Sequence, residues 1–253
     1  MDLGLRGKRA IVTGGSRGIG FSIARLLAEE GCDVGLLARG EEGLSKAAEE
    51  LRSTGRRVEF RAADVTDPRA HDVAVAELME TLGGCEVAVA NAGGSAPGGV
   101  FDSNDDEWHS QWELNFQSAV RLLRATAKGL ERAGGSFVII SSISGLEAFG
   151  RPHYVAAKAA LHGFAKSAAQ EGAARGIRVN CVAPGSILFP GGSWEKRRTE
   201  TPDYFARVER SIPFRRLGRP EEVANAVAFL ASEKASWISG AVLVVDGCQT
   251  HSF

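Results

Sequence analysis

Tyr154 and Lys158 stand four residues apart in Tyr154-Val155-Ala156-Ala157-Lys158. On a helix that spacing puts both side chains on one face. An ammonium beside a phenol favours the phenolate, lowering a pKa that is ordinarily about 10. A phenol tuned in this way can protonate a carbonyl oxygen as a hydride arrives, or deprotonate an alcohol in the reverse sense. Upstream lies Ile139-Ile140-Ser141-Ser142-Ile143-Ser144-Gly145, a strand pattern running into hydroxyls. A serine at that strand end can hold the same substrate oxygen. Tyr-x-x-x-Lys alone is a weak signal. A Ser-Ser strand end before it, and a nucleotide turn before both, make it a strong one.

That turn is Thr13-Gly14-Gly15-Ser16-Arg17-Gly18-Ile19-Gly20, followed by Phe21-Ser22-Ile23-Ala24. Its glycines let backbone approach a pyrophosphate, and a helix start supplies free N–H groups and a positive dipole end. The spacing is G-x-x-x-G-x-G rather than G-x-G-x-x-G. An NAD enzyme places an acid at the end of the second strand to bind the ribose 2′-hydroxyl. Here Leu36-Leu37-Ala38-Arg39 puts an arginine there, and Arg17 can meet the same 2′-phosphate. Asp33 lies at the far end of that strand. Glu41 and Glu42 keep NAD open, but the arginines favour NADP(H) over NAD(H) as cofactor. Asp64-Val65 and Asn91-Ala92-Gly93 follow the third and fourth strands, where an Asp can accept from adenine and an Asn can tie loop backbone. Either is also an ordinary helix-cap or turn residue.

The elements that must position these groups alternate regularly. Short apolar runs at 10–12, 33–38, 58–62, 86–90, 136–141, 178–182 and 241–245 read as strands buried on both faces. Helical patterns begin near Gly18, Glu41, Pro68, Asn104, Pro152 and Pro220. Alternation of this kind predicts an α/β fold of Rossmann type, a doubly wound parallel sheet with right-handed crossovers. With no domain-scale linker or repeat, residues 1–253 are expected to form a single dinucleotide-binding catalytic domain. The stretch 184–219, rich in Pro, Gly and charge, looks irregular and loop-like. The composition is that of an ordinary globular chain, 44% hydrophobic and 24% charged. A net charge of −1 gives no electrostatic reason to expect nucleic acid or an anionic membrane. No apolar run suits a membrane span, and the N-terminus lacks a secretory h-region, so a cytoplasmic location is expected. Cys32, Cys85, Cys181 and Cys248 are scattered, as expected for reduced thiols in or near the core with no metal site.

Taken together, these motifs resemble the short-chain dehydrogenase/reductase family over essentially the whole chain. The resemblance rests on Thr13 to Gly20, Asn91-Ala92-Gly93, Asn115, Ser142, Tyr154 with Lys158, and Pro184-Gly185. It also draws on Pro220-Glu221-Glu222-Val223-Ala224, Ile238-Ser239-Gly240 and Val245-Asp246-Gly247. It implies strand order 3-2-1-4-5-6-7 and a catalytic tetrad of Asn115, Ser142, Tyr154 and Lys158. In that tetrad Tyr154 is the acid/base, Lys158 holds the ribose and lowers the tyrosine pKa, Ser142 orients the substrate oxygen, and Asn115 holds a relay water. Gly14, Ser16, Arg17, Gly18, Ile19, Gly20, Arg39, Asp64, Val65, Asn91, Ala92 and Gly93 become cofactor contacts. So do Tyr154, Lys158, Pro184, Gly185 and Ile187, with Ile187 beside the nicotinamide carboxamide.

Three departures stand out. Twelve positions separate Ser142 from Tyr154, one fewer than in many relatives; Ser141 would restore the count, but the Ser-Ile-Ser-Gly register favours Ser142. A threonine common after Pro-Gly-x-Ile is replaced in Ile187-Leu188-Phe189-Pro190, and Asp-Gly-Gly becomes Asp246-Gly247-Cys248. Within the expected substrate loop, 186–219, Phe189 and Trp194 are candidate walls for substrate, and Lys196 to Arg198 could meet an anionic group. His153 is expected to point away from the reaction, and Trp108, Trp112 and Trp237 to be packing residues. The small apolar helix around Tyr154 suggests burial on two sides, and relatives are commonly dimers or tetramers. The expected function is an NADP(H)-dependent oxidoreductase acting on a small-molecule carbonyl or secondary alcohol. A 3-oxoacyl-carrier-protein reductase is one specific form of it. A non-catalytic NADP(H)-binding redox sensor is the competing class.

Overall fold

The computed structural model describes residues 2–252. Seven strands form one parallel sheet: β1 Arg9–Thr13, β2 Asp33–Ala38, β3 Val58–Ala62, β4 Val87–Ala90, β5 Ser136–Ile140, β6 Arg178–Pro184 and β7 Val242–Val245. Their spatial order is β3-β2-β1-β4-β5-β6-β7, and every neighbouring pair is parallel. The order reverses between β1 and β4, which opens a crevice beyond their carboxyl ends.

Alternation of side chains along each strand makes two cores from one sheet. Val12, Leu36, Val89, Val138 and Val182 face one way, against α1 Gly18–Glu29, α2 Glu41–Arg52 and α9 Pro220–Ala231. Ile11, Leu37, Ala88, Phe137 and Ile139 face the other way. They meet α3 Pro68–Leu82, α5 Ser118–Ala133 and α6 Pro152–Ala173. Both faces are covered, which is why the strands are near-continuous apolar runs.

The stretch 184–219 differs from its expected irregular form. β6 runs to Pro184, and two helices follow, α7 Ser193–Glu200 and α8 Pro202–Ser211. Phe205, Val208 and Ile212 recur at helical spacing and pack with Trp194 and Leu217 into a third apolar cluster. Charged residues between those positions hide the period. The tryptophans also divide. Trp112 is half-exposed but its ring lies 4.4 Å from that of Phe116, while Trp237 is 99% exposed. Of the cysteines, Cys32, Cys85 and Cys181 are buried, and Cys248 is exposed rather than near the core. No helix among the described residues is long and apolar enough to cross a membrane.

Candidate active site

The strand ends converge on a cavity of about 550 Å³, within the roughly 300–1,000 Å³ usual for ligand sites. At one end are the glycine turn, Arg39 and Asp64; at the other, Ser142, Tyr154 and Lys158. Gly14, Ser16, Arg17, Ile19, Gly20, Val65 and Asn91 to Gly93 line it, as do Pro184, Gly185 and Ile187. Phe189 and Trp194 reach the same cavity from the substrate loop. Two expected contacts do not line it: Gly18 lies beneath the Phe189 ring, and Asn115 sits behind Gly93.

The glycine turn is built for close backbone approach. Gly14 has φ +66°, and a Cβ there would stand 2.7 Å from Asn91 Nδ2. A Cβ on Gly20 would fall 2.2 Å from the Gly14 carbonyl oxygen. Asn91 Nδ2 donates to the carbonyls of Thr13 (2.9 Å) and Gly14 (3.3 Å), tying β4 to the turn. Buried Thr13 completes the tie, its hydroxyl oxygen accepting from the amides of Asn91 (3.0 Å) and Ala92 (3.1 Å). Replacing Thr13 by Val keeps the shape and strands both amides. An unpaired buried amide costs about 1–3 kcal/mol, so Thr13→Val should lose on the order of 2–4 kcal/mol in urea unfolding. An unchanged midpoint would mean that other groups satisfy these amides. The cradle offers a dinucleotide phosphate backbone N–H groups and a helix N-terminus, with the Phe189 ring over Gly18.

Both arginines, Arg17 and Arg39, line the glycine-turn end of the cavity. Arg39 lines the cavity, whereas Glu41 and Glu42 do not; Glu42 pairs with Lys46 at 2.6 Å. Asp33, at the opposite edge, pairs with Arg56 at 2.7 Å. Arg17 Nη1 donates to the Gly191 carbonyl at 3.0 Å, fastening the substrate loop to the turn. Asp64 Oδ1 accepts from the Thr66 amide (2.9 Å) and hydroxyl (2.8 Å). Burial opposes the Asp64 carboxylate, but Thr66 and the nearby Arg39 outweigh it and hold the pKa below its ordinary value.

At the other end, α6 presents Tyr154 and Lys158 together. Lys158 is buried, its Nζ 5.6 Å from the Tyr154 ring centroid and donating to the Ile140 carbonyl at 2.9 Å. Burial pulls its pKa down to about 8. Burial also raises the Tyr154 phenol, against a side-chain hydrogen bond from Ser142 that lowers it. This differs from the sequence expectation, in which Lys158 lowers the phenol: here the ammonium lies over the ring and is spent on Ile140. Ser142, not Ser141, is the hydroxyl beside Tyr154. Ser141 Oγ donates to Val182 (3.1 Å) and meets His162 Nε2 (2.9 Å), so it is committed to the framework.

Asn115 lies in a π-helical turn, Glu113–Gln117, between α4 Asp105–Trp112 and α5. Such one-residue expansions redirect a side chain and often mark functional sites. Its Nδ2 donates to the carbonyls of Gly94 (2.8 Å) and Gln111 (3.0 Å), and its Oδ1 accepts from the Gly94 amide (2.9 Å). The side chain anchors the loop after β4. A Cβ on Gly93 would meet both Asn115 Oδ1 (2.9 Å) and Lys158 Nζ (3.2 Å), so only glycine fits between them. Sequence reasoning missed Arg121. Buried on α5, it donates to the Val65 carbonyl (2.6 Å) and to Glu113 (2.8 Å), joining the Asp64-Val65 loop to the π-helical turn. An arginine inside a helical pattern gives no such signal.

A family model described as Enoyl-(Acyl carrier protein) reductase matches residues 14–250. The chain belongs to the short-chain dehydrogenase/reductase family. It is thus an oxidoreductase of CH–OH and carbonyl groups that works with NAD(P). A 3-oxoacyl-[acyl-carrier-protein] reductase of Chlamydia muridarum is 38% identical over 243 residues, 95% of this chain and 96% of that protein. The Escherichia coli protein of the same name is 37% identical over 247 residues, covering 97% and 98%. The L-sorbose reductase of Gluconobacter frateurii, solved with NADPH and L-sorbose, superposes with TM-score 0.93 at 35% identity over 100% of both chains. The sheet order of this short-chain dehydrogenase/reductase is the one its motifs imply.

Proposed function

We propose that the protein is an NADP(H)-dependent carbonyl reductase, or the corresponding alcohol dehydrogenase, with Tyr154 as its acid/base. The observation that carries this reading is one cavity with arginines at its adenosine end and a buried Tyr154, Ser142 and Lys158 cluster at the other. Bound there, the cofactor would supply or accept the hydride. The amides of the 14–20 turn hold its pyrophosphate, Arg39 and Arg17 its 2′-phosphate, and Asp64 and Val65 flank the adenine. Lys158 would hold the ribose, Pro184, Gly185 and Ile187 would hold the nicotinamide, and Asn91 to Gly93 would support the cofactor from the β4 side. Ser142 orients the substrate oxygen and Tyr154 moves its proton. Asn115, anchored on Gly94, holds a water in the proton relay.

The relatives' names favour one narrower reading, a 3-oxoacyl-carrier-protein reductase, with exposed Lys196 and Arg198 available to an anionic carrier arm. The solved sorbose reductase keeps sugar carbonyls equally in view.

Titration of the purified protein with NADPH and NADH, then a panel of ketones, 3-oxoacyl thioesters and sugars, tests the reading. A charge-assisted hydrogen bond is worth about 1.5–3 kcal/mol, or roughly 10- to 150-fold in affinity. NADPH should bind tighter by that margin, and Arg39→Asp should erase or reverse the preference. A wild-type preference for NADH would overturn the cofactor assignment.

A further inference from the structure

Four positions beyond Lys158 on α6 stands His162, so Tyr154, Lys158 and His162 recur at i, i+4 and i+8 and share one face. Each meets one of three consecutive residues where β5 ends. Tyr154 is hydrogen-bonded to Ser142, Lys158 Nζ donates to the Ile140 carbonyl at 2.9 Å, and His162 Nε2 lies 2.9 Å from Ser141 Oγ. Tyr154 and Lys158 line the reaction cavity, and His162 does not. The Ser141 hydroxyl donates its one proton to the Val182 carbonyl at 3.1 Å, an acceptor that also takes the Ser141 amide at 2.8 Å. His162 is therefore the donor to Ser141. Burial, and after it the Lys158 ammonium, holds the His162 pKa below its ordinary value, so the neutral ring makes this bond through Nε2–H. The turn after Ser142, Ile143–Gly145, seats on the same part of α6. A Cβ on Gly145 would stand 2.7 Å from both His162 Cε1 and the Lys158 carbonyl oxygen.

Two of these three contacts belong to groups that have chemistry to do. Tyr154 moves a proton and Lys158 serves a ribose, so neither contact with β5 need stay constant through turnover. The bond from His162 faces no reacting group and can persist. We propose that His162 is a positioning residue, which ties α6 to the end of β5 through Ser141 and so keeps Ser142 in register with Tyr154. This rests on the Ser142 and Tyr154 assignment above and adds a residue to it. Small errors of placement at a reacting centre are expensive, and one polar bond on the shared face limits them.

The test compares His162→Leu and His162→Gln with wild type in the full chain. A glutamine places an amide N–H where the imidazole Nε2–H lies. His162→Leu should lower kcat by about 2- to 12-fold, the worth of one net hydrogen bond, with NADPH affinity little changed. His162→Gln should recover most of that loss. A second reading needs neither cofactor nor turnover. The chain has two tyrosines, Tyr154 and Tyr204, so isotope-labelled tyrosine gives two ring signals by NMR, told apart with Tyr204→Phe. The Ser142 bond lowers the Tyr154 phenol against burial. Loss of register should therefore move the Tyr154 titration to higher pH in His162→Leu, much less in His162→Gln, and leave Tyr204 alone. Ser141→Ala removes the same bond from the strand side and should give the same two changes, which keeps the test open if His162→Leu fails to fold. A kcat or a Tyr154 titration unmoved in these variants, or a loss in His162→Gln as large as in His162→Leu, would overturn the role. If Tyr154→Phe retains turnover, the acid assignment fails instead. The tyrosine titration then still decides whether His162 sets the contact between Ser142 and Tyr154.

Discussion

Tyr154→Phe should lower kcat by about 10²- to 10⁴-fold, the usual contribution of a positioned general acid, while NADPH affinity changes little. The variant removes one oxygen and keeps the ring. Lys158 Nζ lies 5.6 Å from that ring's centroid and bonds to Ile140, so the ammonium's placement does not depend on the hydroxyl. What disappears is the only phenol in the cavity, together with its hydrogen bond to Ser142. Single-turnover reduction followed by nicotinamide absorbance, paired with an NADPH titration, reads both effects. Retained turnover would move the acid role to another group. A protein that binds NADPH, turns over nothing in either form and keeps its cellular effect as Tyr154→Phe would be the redox sensor instead. Burial raises the Tyr154 pKa, so reduction, which needs the protonated phenol, is expected to persist to alkaline pH in the absence of a further charge.

The parts of this site legible from sequence were those whose physics is local. A glycine turn must look like Gly14 to Gly20 because any Cβ at Gly20 strikes the Gly14 carbonyl. Strands buried on both faces must be apolar throughout, and Tyr154 and Lys158 share a face because a helix repeats every 3.6 residues. Long-range placement was not legible. α7 and α8 were hidden because their apolar positions, Trp194, Phe205, Val208 and Ile212, are diluted by charges and sealed against the distant Leu188 and Leu217. The Arg121 bridge joins Val65 to Glu113 across 56 and 8 positions of chain. His153 was expected to point elsewhere; nothing local said that it would lie buried without a partner. Trp237, expected to be a packing residue, is exposed.

Lys158→Met should give a protein that is more stable and nearly inactive. In this structure the ammonium is buried with one carbonyl partner, and its pKa falls from 10.5 to about 8. Below pH 8 both folded and unfolded chains hold the proton, so the full cost of burying the charge is present. Between pH 8 and 10.5 the unfolded chain keeps a proton that the folded chain has shed, so wild-type stability rises with pH across that window. Methionine has similar length and no charge to desolvate, so at pH 7 the variant should gain on the order of 2–3 kcal/mol. That advantage should shrink from pH 8 to pH 10. The same substitution removes the donor that would hold a ribose beside Tyr154, so kcat should fall at least about 100-fold and NADPH affinity with it. Urea unfolding at pH 7 and pH 10 beside steady-state kinetics separates the two effects. A variant less stable than wild type at pH 7 would mean that the bond to Ile140 outweighs the buried charge. A gain in stability with loss of turnover would mark Lys158 as a residue kept for chemistry at the expense of the fold.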